Sequence, residues 1–510
     1  MNSALNILKS PGTLYYGGKF VPVLSGKLHK VISPADQSVL AQVGEAGKDD
    51  MTNAIAEARI AFDEGPWYNV YDGNQRRDAL LKLGAVVEDR YLKDLAYLES
   101  VNTGKPYVVA EDEIKDCVNL FRHYAGYADK VHGKHVSFQT NTALDVYNIR
   151  EPLGVCGMIS SFNYPLNLVA WKIAPALAAG NTVIVKPAPQ TPLSALFLAQ
   201  IINDHQIFPS GVFNVVTGGV EAGNTLVVDD RVDKISFTGS VNGGKAVQNA
   251  AANATSSPNS STFKHLTLEL GGKSPVVVMD DSVANLDNTV YHVIQGIFAN
   301  AGQNCSAGSK LYVQKGIYPE FISKLKEKTE ELVNTMDAVD INKSSVMPVI
   351  DRNQYNKILD YINHSTSSGE TTCLIGGRAY SGKDGNCNGN FIEPTILVNA
   401  DQSAKVAKEE IFGPVLTVMK PFEHLDEVIA IESKLPFGLA AGIFSSNTKT
   451  INHFVRKMRH SGTIWVNTYN YTPANVTFGG FKNSGIGREL GSEVMDSYTA
   501  PRSVISDPSY

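Results

Sequence analysis

The sequence predicts an α/β chain with two doubly wound, Rossmann-like units, and three observations carry that expectation. Strand-like and helix-like segments alternate across residues 181–250, with glycine at the turns. The same alternation returns after residue 266. The chain has 510 residues, more than one hydrophobic core ordinarily serves.

The elements follow in order. Residues 15–24 and 28–43 read as a strand pair, and 49–63 and 74–103 as helices with apolar residues three and four apart, separated by Gly65-Pro66. Thr182-Val183-Ile184-Val185 is a short β-branched run ending at Lys186-Pro187. Thr191-Pro192 reads as an N-cap followed by proline at the first helical position, opening a helix to about Asn203. Val212-Phe213-Asn214-Val215-Val216 forms a second strand, stopped by Gly218-Gly219, and a helix follows it. Lys234-Ile235-Ser236-Phe237 forms a third, after which Thr238-Gly239-Ser240 turns into a helix at 241–250. The second unit has strands at 266–270, 275–279 and 310–314, and helices at 283–300, 318–335 and 351–368. Residues 249–261, rich in Ala, Ser and Asn, have little apolar surface to bury and read as a surface loop.

Composition excludes several classes of function. Lys plus Arg is 45 and Asp plus Glu 51, a net charge of −6 without a long basic run, which argues against nucleic acid or an anionic membrane as partner. The longest apolar stretches, 173–179 and 275–279, are too short to span a bilayer. Cysteines stand at 117, 156, 305, 373 and 387, with no C-x-x-C and no histidine at zinc spacing, so free thiols in a reducing compartment and no metal are expected. The sequons at Asn253 and Asn259 then carry little weight. The N-terminus lacks an apolar signal core and the terminal Asp507-Pro508-Ser509-Tyr510 is no targeting signal, which makes the cytosol the default. The absence of acidic residues before Asp36 keeps a mitochondrial presequence open.

Three clusters carry candidate chemistry: Phe162-Asn163-Tyr164-Pro165, Glu269-Leu270-Gly271-Gly272-Lys273 and Gly302-Gln303-Asn304-Cys305-Ser306. Singly, each has a plain structural reading. Cys305 is a buried small hydrophobe or a loop nucleophile, Glu269 a solvated edge-strand carboxylate or a base, and Asn163 a turn cap. Gly271-Gly272 favours close approach of another group beside Glu269.

Together and in this order, these clusters resemble the aldehyde dehydrogenase superfamily. Glu410-Ile411-Phe412-Gly413-Pro414-Val415 and Phe478-Gly479-Gly480-Phe481-Lys482-Asn483-Ser484-Gly485 extend the likeness, which runs from about Tyr15 to Ser506. The resemblance implies a cofactor domain at 1–132 and 152–266, a catalytic domain at 267–482, and a small β oligomerisation extension from 133–151 and 483–510. It implies a homodimer or homotetramer. Cys305 would be the nucleophile, Asn163 with the Cys305 N–H the oxyanion donors, and Glu269 the general base. Lys172 and Glu489 resemble a pair that passes protons onward; a structural ion pair is the plainer reading.

No G-x-G-x-x-G occurs, so the resemblance instead sets the cofactor pyrophosphate beside Gly239 and Ser240 at a helix N-terminus. It places Lys186 on the adenosine ribose, Glu410 on the nicotinamide ribose and Phe412 near the ring, with Ile159, Phe162, Gly218 and Leu270 alongside. Many relatives carry a glutamate three residues after the lysine; here Pro189 stands there, which leaves NAD expected and NADP open. Phe162 replaces a more frequent Trp, and Ser161 a frequent Pro.

Asn163-Tyr164-Pro165 with Trp171, and Asn467-Thr468-Tyr469-Asn470 before Pro473, look closest to betaine aldehyde and trimethylaminobutyraldehyde dehydrogenases. The substrate residues implied are Tyr164, Leu168, Trp171 and Phe478, whose aromatic faces attract a quaternary ammonium. Glu111-Asp112-Glu113 with Asp116 could add a negative field, though a solvated helix face is the better expectation. Ala299 removes one wall that some plant aminoaldehyde enzymes fill with Trp, so general aliphatic or aromatic aldehydes stay open. Glu269 argues against a CoA-acylating relative, and the retention of Cys305, Glu269 and Asn163 against a non-catalytic scaffold. A thiol hydrolase pairing Cys305 with His265 would need no dinucleotide.

Overall fold

The computed structural model describes residues 8–136, 144–253, 263–338, 340, 342–344, 346–383 and 385–507. Residues 254–261 of the expected surface loop, the Asn259 sequon, part of the 133–151 segment and the last three residues lie outside them.

The first sheet has eight strands, and the five central ones are parallel: Phe213–Val215, Thr182–Lys186, Val155–Ile159, Lys234–Thr238 and His265–Glu269. Numbered along the chain these run 3-2-1-4-5, the doubly wound order whose reversal falls between Val155–Ile159 and Lys234–Thr238. Thr182–Lys186 is buried along its whole length. Its alternate side chains serve opposite cores, Val183 and Val185 under the helices Pro165–Ala178 and Leu193–Asp204, Ile184 under Lys48–Asp63 and Val220–Val228. Antiparallel edges close the sheet: Gly485–Ile486 beside His265–Glu269, and Thr13–Tyr16 with Lys19–Pro22 beyond Phe213–Val215.

The second sheet has seven strands, in the order Thr372–Ile375, Thr395–Ala400, Val415–Met419, Lys310–Val313, Pro275–Val278, Ala440–Phe444 and Thr463–Val466, parallel except at the first edge. Two small antiparallel pairs complete the strands, Leu28–Ile32 with Val39–Gly44, and Thr499–Ser506 with Asp145–Pro152 in register over eight residues. No helix among the described residues is long and apolar enough to cross a membrane.

Four local expectations change. The early strand pair is two hairpins, because Gly17 and Gly18, with φ of 60° and 72°, reverse the chain inside the first segment. The helix over 74–103 is Gly73–Val86 and Leu92–Thr103 joined by a π-helical turn at Val87–Tyr91, which apolar spacing does not register because each half keeps its own stripe. Pro192, not Thr191, holds the N-cap position of Leu193–Asp204, and the Thr191 hydroxyl is buried without a partner. The helix at 283–300 opens as a 3₁₀ turn, Asp280–Asn285, before Leu286–Phe298.

Between the second sheet and the helix Leu425–Glu432 a buried ion pair joins Lys310 Nζ to Glu432 Oε1 at 2.7 Å, and the Tyr312 hydroxyl donates to the same oxygen at 2.6 Å. Removing one member strands the other in a low-dielectric core. Lys310→Met is therefore expected to cost about 3–5 kcal/mol, and adding Glu432→Leu to recover most of that loss. Denaturant midpoints of wild type, single and double variants check it; equal midpoints for both variants would refute the coupling.

Candidate active site

Ligands of doubly wound sheets gather beyond the C-terminal strand ends at the reversal of strand order. There the strand Val155–Ile159 runs into Ser160–Asn163, and Lys234–Thr238 into Gly239-Ser240. Two cavities of about 430 Å³ each open at this edge. One is lined by Ile159, Phe162, Lys186, Gly239, Ser240, Glu410 and Phe412, among others. The other, a tunnel, is lined by Tyr164, Leu168, Trp171, Phe478, Ala299 and Glu489, among others. Asn163, Thr238, Glu269 and Cys305 line both.

Cys305 is presented by a strained turn. After Leu286–Phe298 the chain passes through Asn300, Ala301 and Gly302 with φ of 53°, 52° and 68°. A Cβ on Gly302 would lie 2.0 Å from the Gly413 carbonyl oxygen, so only glycine fits. Gln303 staples the turn, its Oε1 accepting from Ile350 N–H at 2.9 Å. The Asn163 Nδ2 donates to Gln303 O at 3.0 Å, while its Oδ1 is buried without a partner.

Glu269 ends the strand His265–Glu269, which lies inside the sheet between Lys234–Thr238 and Gly485–Ile486. It is 3% exposed and neither carboxylate oxygen has a hydrogen-bond partner, so the solvated edge-strand reading is wrong. Burial first, then the Glu489 charge, hold its carboxyl well above the usual range. Burial and then the Glu269 charge likewise push the Cys305 thiol up, against the pull of the Ser306 and Cys305 N–H groups. Behind them Lys172 Nζ pairs with Glu489 Oε1, which also accepts from Ser236 Oγ at 3.0 Å. His265 occupies the opposite end of the strand from Glu269, about 13 Å away at strand rise, which removes it as a partner for Cys305.

The first cavity suits a dinucleotide. Ser240 caps the helix Val241–Ala252, accepting from Gly243 N–H, and leaves an N-terminus facing the cleft. Lys186 is 6% exposed, and its ammonium finds only the Pro187 carbonyl at 3.4 Å, so it lacks a strong acceptor. Glu410 is fixed by Gly272 N–H at 2.9 Å, and the Phe162 and Phe412 rings meet edge-on at 5.9 Å. Leu270 instead packs its side chain into the core, where a Cβ on Gly244 would lie 2.4 Å from it. Gly218 lines an adjoining pocket.

A model of the aldehyde dehydrogenase family matches residues 20–504. The chain belongs to the aldehyde dehydrogenase family. It is an oxidoreductase acting on aldehydes. It is 40% identical over 497 residues to an aldehyde dehydrogenase of Emericella nidulans, covering 97% of this chain and 95% of the relative. It is 39% identical to a mitochondrial aldehyde dehydrogenase of Leishmania tarentolae, with 96% and 94% covered. Among solved structures it is similar to the NAD⁺ complex of aldehyde dehydrogenase from Bacillus cereus, at TM-score 0.91, 37% identity and 99% and 98% coverage. It is similar as well to betaine aldehyde dehydrogenase from Staphylococcus aureus in complex with NAD⁺, at TM-score 0.91, 32% identity and 99% and 97% coverage.

Sequence reasoning missed Lys105. Its ammonium is fully buried, donates to both Glu113 oxygens and to the Asn163 main-chain carbonyl at 2.7 Å, and lies 4.2 Å from the Tyr164 ring centroid. A lysine in a Gly-Lys-Pro turn looks solvated, so nothing local flagged it. The acidic run also divides: Glu111 and Asp112 pair with Lys115 in solvent, whereas Glu113 and Asp116 line the tunnel. The signal was present, since Glu113 stands three and four residues from buried Ala110 and Cys117 on Tyr107–Ala125. Tyr469, Asn304 and Asn470, quoted above within motifs but given no place in the site, line the tunnel, and Gln354 and Lys357 in the cleft were missed. Lys105→Met releases the Asn163 carbonyl and leaves Glu113 buried beside the tunnel. The kcat for propanal is expected to fall about tenfold or more, as for a misplaced reacting group; unchanged kcat would make Lys105 irrelevant to Asn163.

Proposed function

We propose that this enzyme oxidises an aldehyde to a carboxylic acid with NAD as hydride acceptor, through a thioester on Cys305, and that it favours aldehydes bearing an ω-amino or trimethylammonio group. The observation that carries the chemistry is the meeting of the two cavities at Asn163, Thr238, Glu269 and Cys305. A nucleophile, an amide donor and a carboxylate converge where a nucleotide cleft and a substrate tunnel share a wall.

In this reading the Cys305 sulfur adds to the aldehyde carbon, and its proton passes to a base. The carbonyl oxygen becomes an oxyanion held by the Cys305 N–H and by the second N–H of Asn163 Nδ2, whose first stays on the Gln303 carbonyl. Bound in the cleft, NAD would supply the acceptor for the hydride of that carbon. A thioester remains on Cys305; Glu269 removes a proton from water, which adds to the thioester and releases the acid and the free thiol. Glu489, paired with Lys172, lines the tunnel near Glu269 and receives protons from it. The cofactor would be held by Ser240 and Gly239 at the pyrophosphate, by Lys186 and Glu410 at the two riboses, and by Phe412 beside the nicotinamide.

The substrate reading rests on charge and faces. Trp171 and Phe478 meet edge-on at 5.4 Å in the tunnel wall, with Tyr164 beside them. Lys105 neutralises Glu113, while Asp116, exposed at the mouth, has no ion pair among the described residues. One uncompensated carboxylate before aromatic faces suits a cation, each face contributing about 0.5–2 kcal/mol. The second reading is a broad aliphatic or aromatic aldehyde dehydrogenase, favoured by Ala299, whose small side chain leaves that wall open. For assembly the exposed ribbon Thr499–Ser506 with Asp145–Pro152 offers an unpaired edge for a homodimer or homotetramer. The domain division expected at 266/267 moves to the crossing after Glu269, because the strand His265–Glu269 pairs along its whole length within the first sheet, to which Gly485–Ile486 also returns.

Glu269→Gln is expected to give one equivalent of reduced cofactor per Cys305 and then stall, since acylation proceeds and hydrolysis does not. In wild type kcat rises with pH, because a hydrolytic base whose pKa is raised is protonated and idle at low pH and gains activity as pH climbs through that value. Steady turnover by the variant, or a wild-type profile flat down to about pH 5, would remove Glu269 as base. On the substrate side, kcat/KM for 4-trimethylaminobutyraldehyde is expected to exceed that for hexanal, and Asp116→Asn to lower this ratio about tenfold, the worth of one partly screened charge. Equal or better use of hexanal by wild type would favour the broad-specificity reading.

A further inference from the structure

Beside the cofactor cleft lies a smaller pocket of about 170 Å³, lined by His29, Glu45, Pro187–Pro189, Gly218 and Gly219, among others. Ala188 and Pro189 line both spaces, so the two adjoin there. Glu45 is held there by main-chain bonds: its N–H donates to Lys27 O at 3.0 Å, Ala46 N–H to Thr217 O at 3.0 Å, and Thr217 Oγ1 to Gly44 O at 2.6 Å. Its carboxylate has no hydrogen bond or ion pair among the described residues. A Cβ built on Gly219 would meet only one atom within 4 Å, the Glu45 Oε1 at 3.9 Å, so the space beside the carboxylate is open.

We infer that Glu45 sets the choice between NAD and NADP, accepting a hydrogen bond from the adenosine 2′-hydroxyl and repelling a 2′-phosphate. The inference rests on the cofactor reading above, in which Lys186 holds that ribose from the cleft side. A ribose hydroxyl that accepts from Lys186 still has its own proton to donate. Pro189 has no side-chain acceptor to take it, and Glu45 is the one carboxylate lining the pocket that Pro189 borders. A 2′-phosphate brings about two negative charges to the same place and donates little, so the carboxylate that welcomes the hydroxyl rejects the phosphate. His29 is the other ionisable side chain of the lining.

The test is Glu45→Gln, and Glu45→Gln with Pro189→Glu, in the full-length enzyme. The ratio of kcat/KM for NAD over NADP is expected to exceed one in wild type, to fall at least about tenfold in the single variant, and to recover in the double variant. Calorimetric titration with 5′-AMP and 2′,5′-ADP supplies the same comparison without turnover, the single variant gaining affinity for 2′,5′-ADP relative to 5′-AMP. An unchanged ratio in both measurements, or a wild type that prefers NADP, would overturn the role of Glu45. Reduction of neither cofactor would sink the dehydrogenase reading itself, and the titrations would still report on the pocket.

Discussion

The structure depends on a short crossing. Five residues, Leu270–Ser274, carry the chain from the last parallel strand of the first sheet, His265–Glu269, to the strand Pro275–Val278 inside the second. That crossing must pass between Cys305 on one side and Glu410 on the other. A Cβ on Gly271 would lie 2.1 Å from the Glu410 carboxylate, and one on Gly272 2.6 Å from the Cys305 carbonyl oxygen. Only a pair of glycines lets the two sheets approach so closely. The same approach brings Glu269, Cys305 and the Glu410 side chain to one edge, so site and domain packing are a single constraint.

Close approach excludes water, and that fixes the electrostatics. Glu269 has no hydrogen-bond donor to stabilise its charge, and the Glu489 carboxylate nearby opposes that charge further. Cations are therefore set one layer back. Lys172 compensates Glu489, and Lys105 compensates Glu113 while gripping the Asn163 carbonyl. Neither ammonium touches the thiol. A lysine directly against Cys305 would hold it as a permanently reactive thiolate; its absence leaves the thiol protonated until a base acts.

Much of the fold was legible because the signals were local. β-branched runs such as Thr182-Val183-Ile184-Val185 and the glycine turns after Val216 and Thr238 mark buried parallel strands with little ambiguity. The π-turn at Val87–Tyr91 was not legible, since inserting one residue leaves both flanking stripes intact. Among site residues, Cys305, Glu269 and Asn163 lie in runs of unusual composition, which made them visible. Lys105 did not stand out, because its burial depends on helix Tyr107–Ala125 packing against Pro165–Ala178, a contact between segments some fifty residues apart, whereas Glu113 lies beside the buried stripe of its own helix and was read with its solvated neighbours.

The resting hydrogen bond of Asn163 fixes its amide for the reaction. One Nδ2 hydrogen is donated to the Gln303 carbonyl, an acceptor belonging to the same turn that presents Cys305. The amide nitrogen carries a second hydrogen, which that bond leaves free for the substrate. An oxyanion is a stronger acceptor than the neutral aldehyde oxygen, so this second bond strengthens as negative charge develops. The first bond thus holds the amide in place, and the second directs its contribution to the transition state and away from substrate binding.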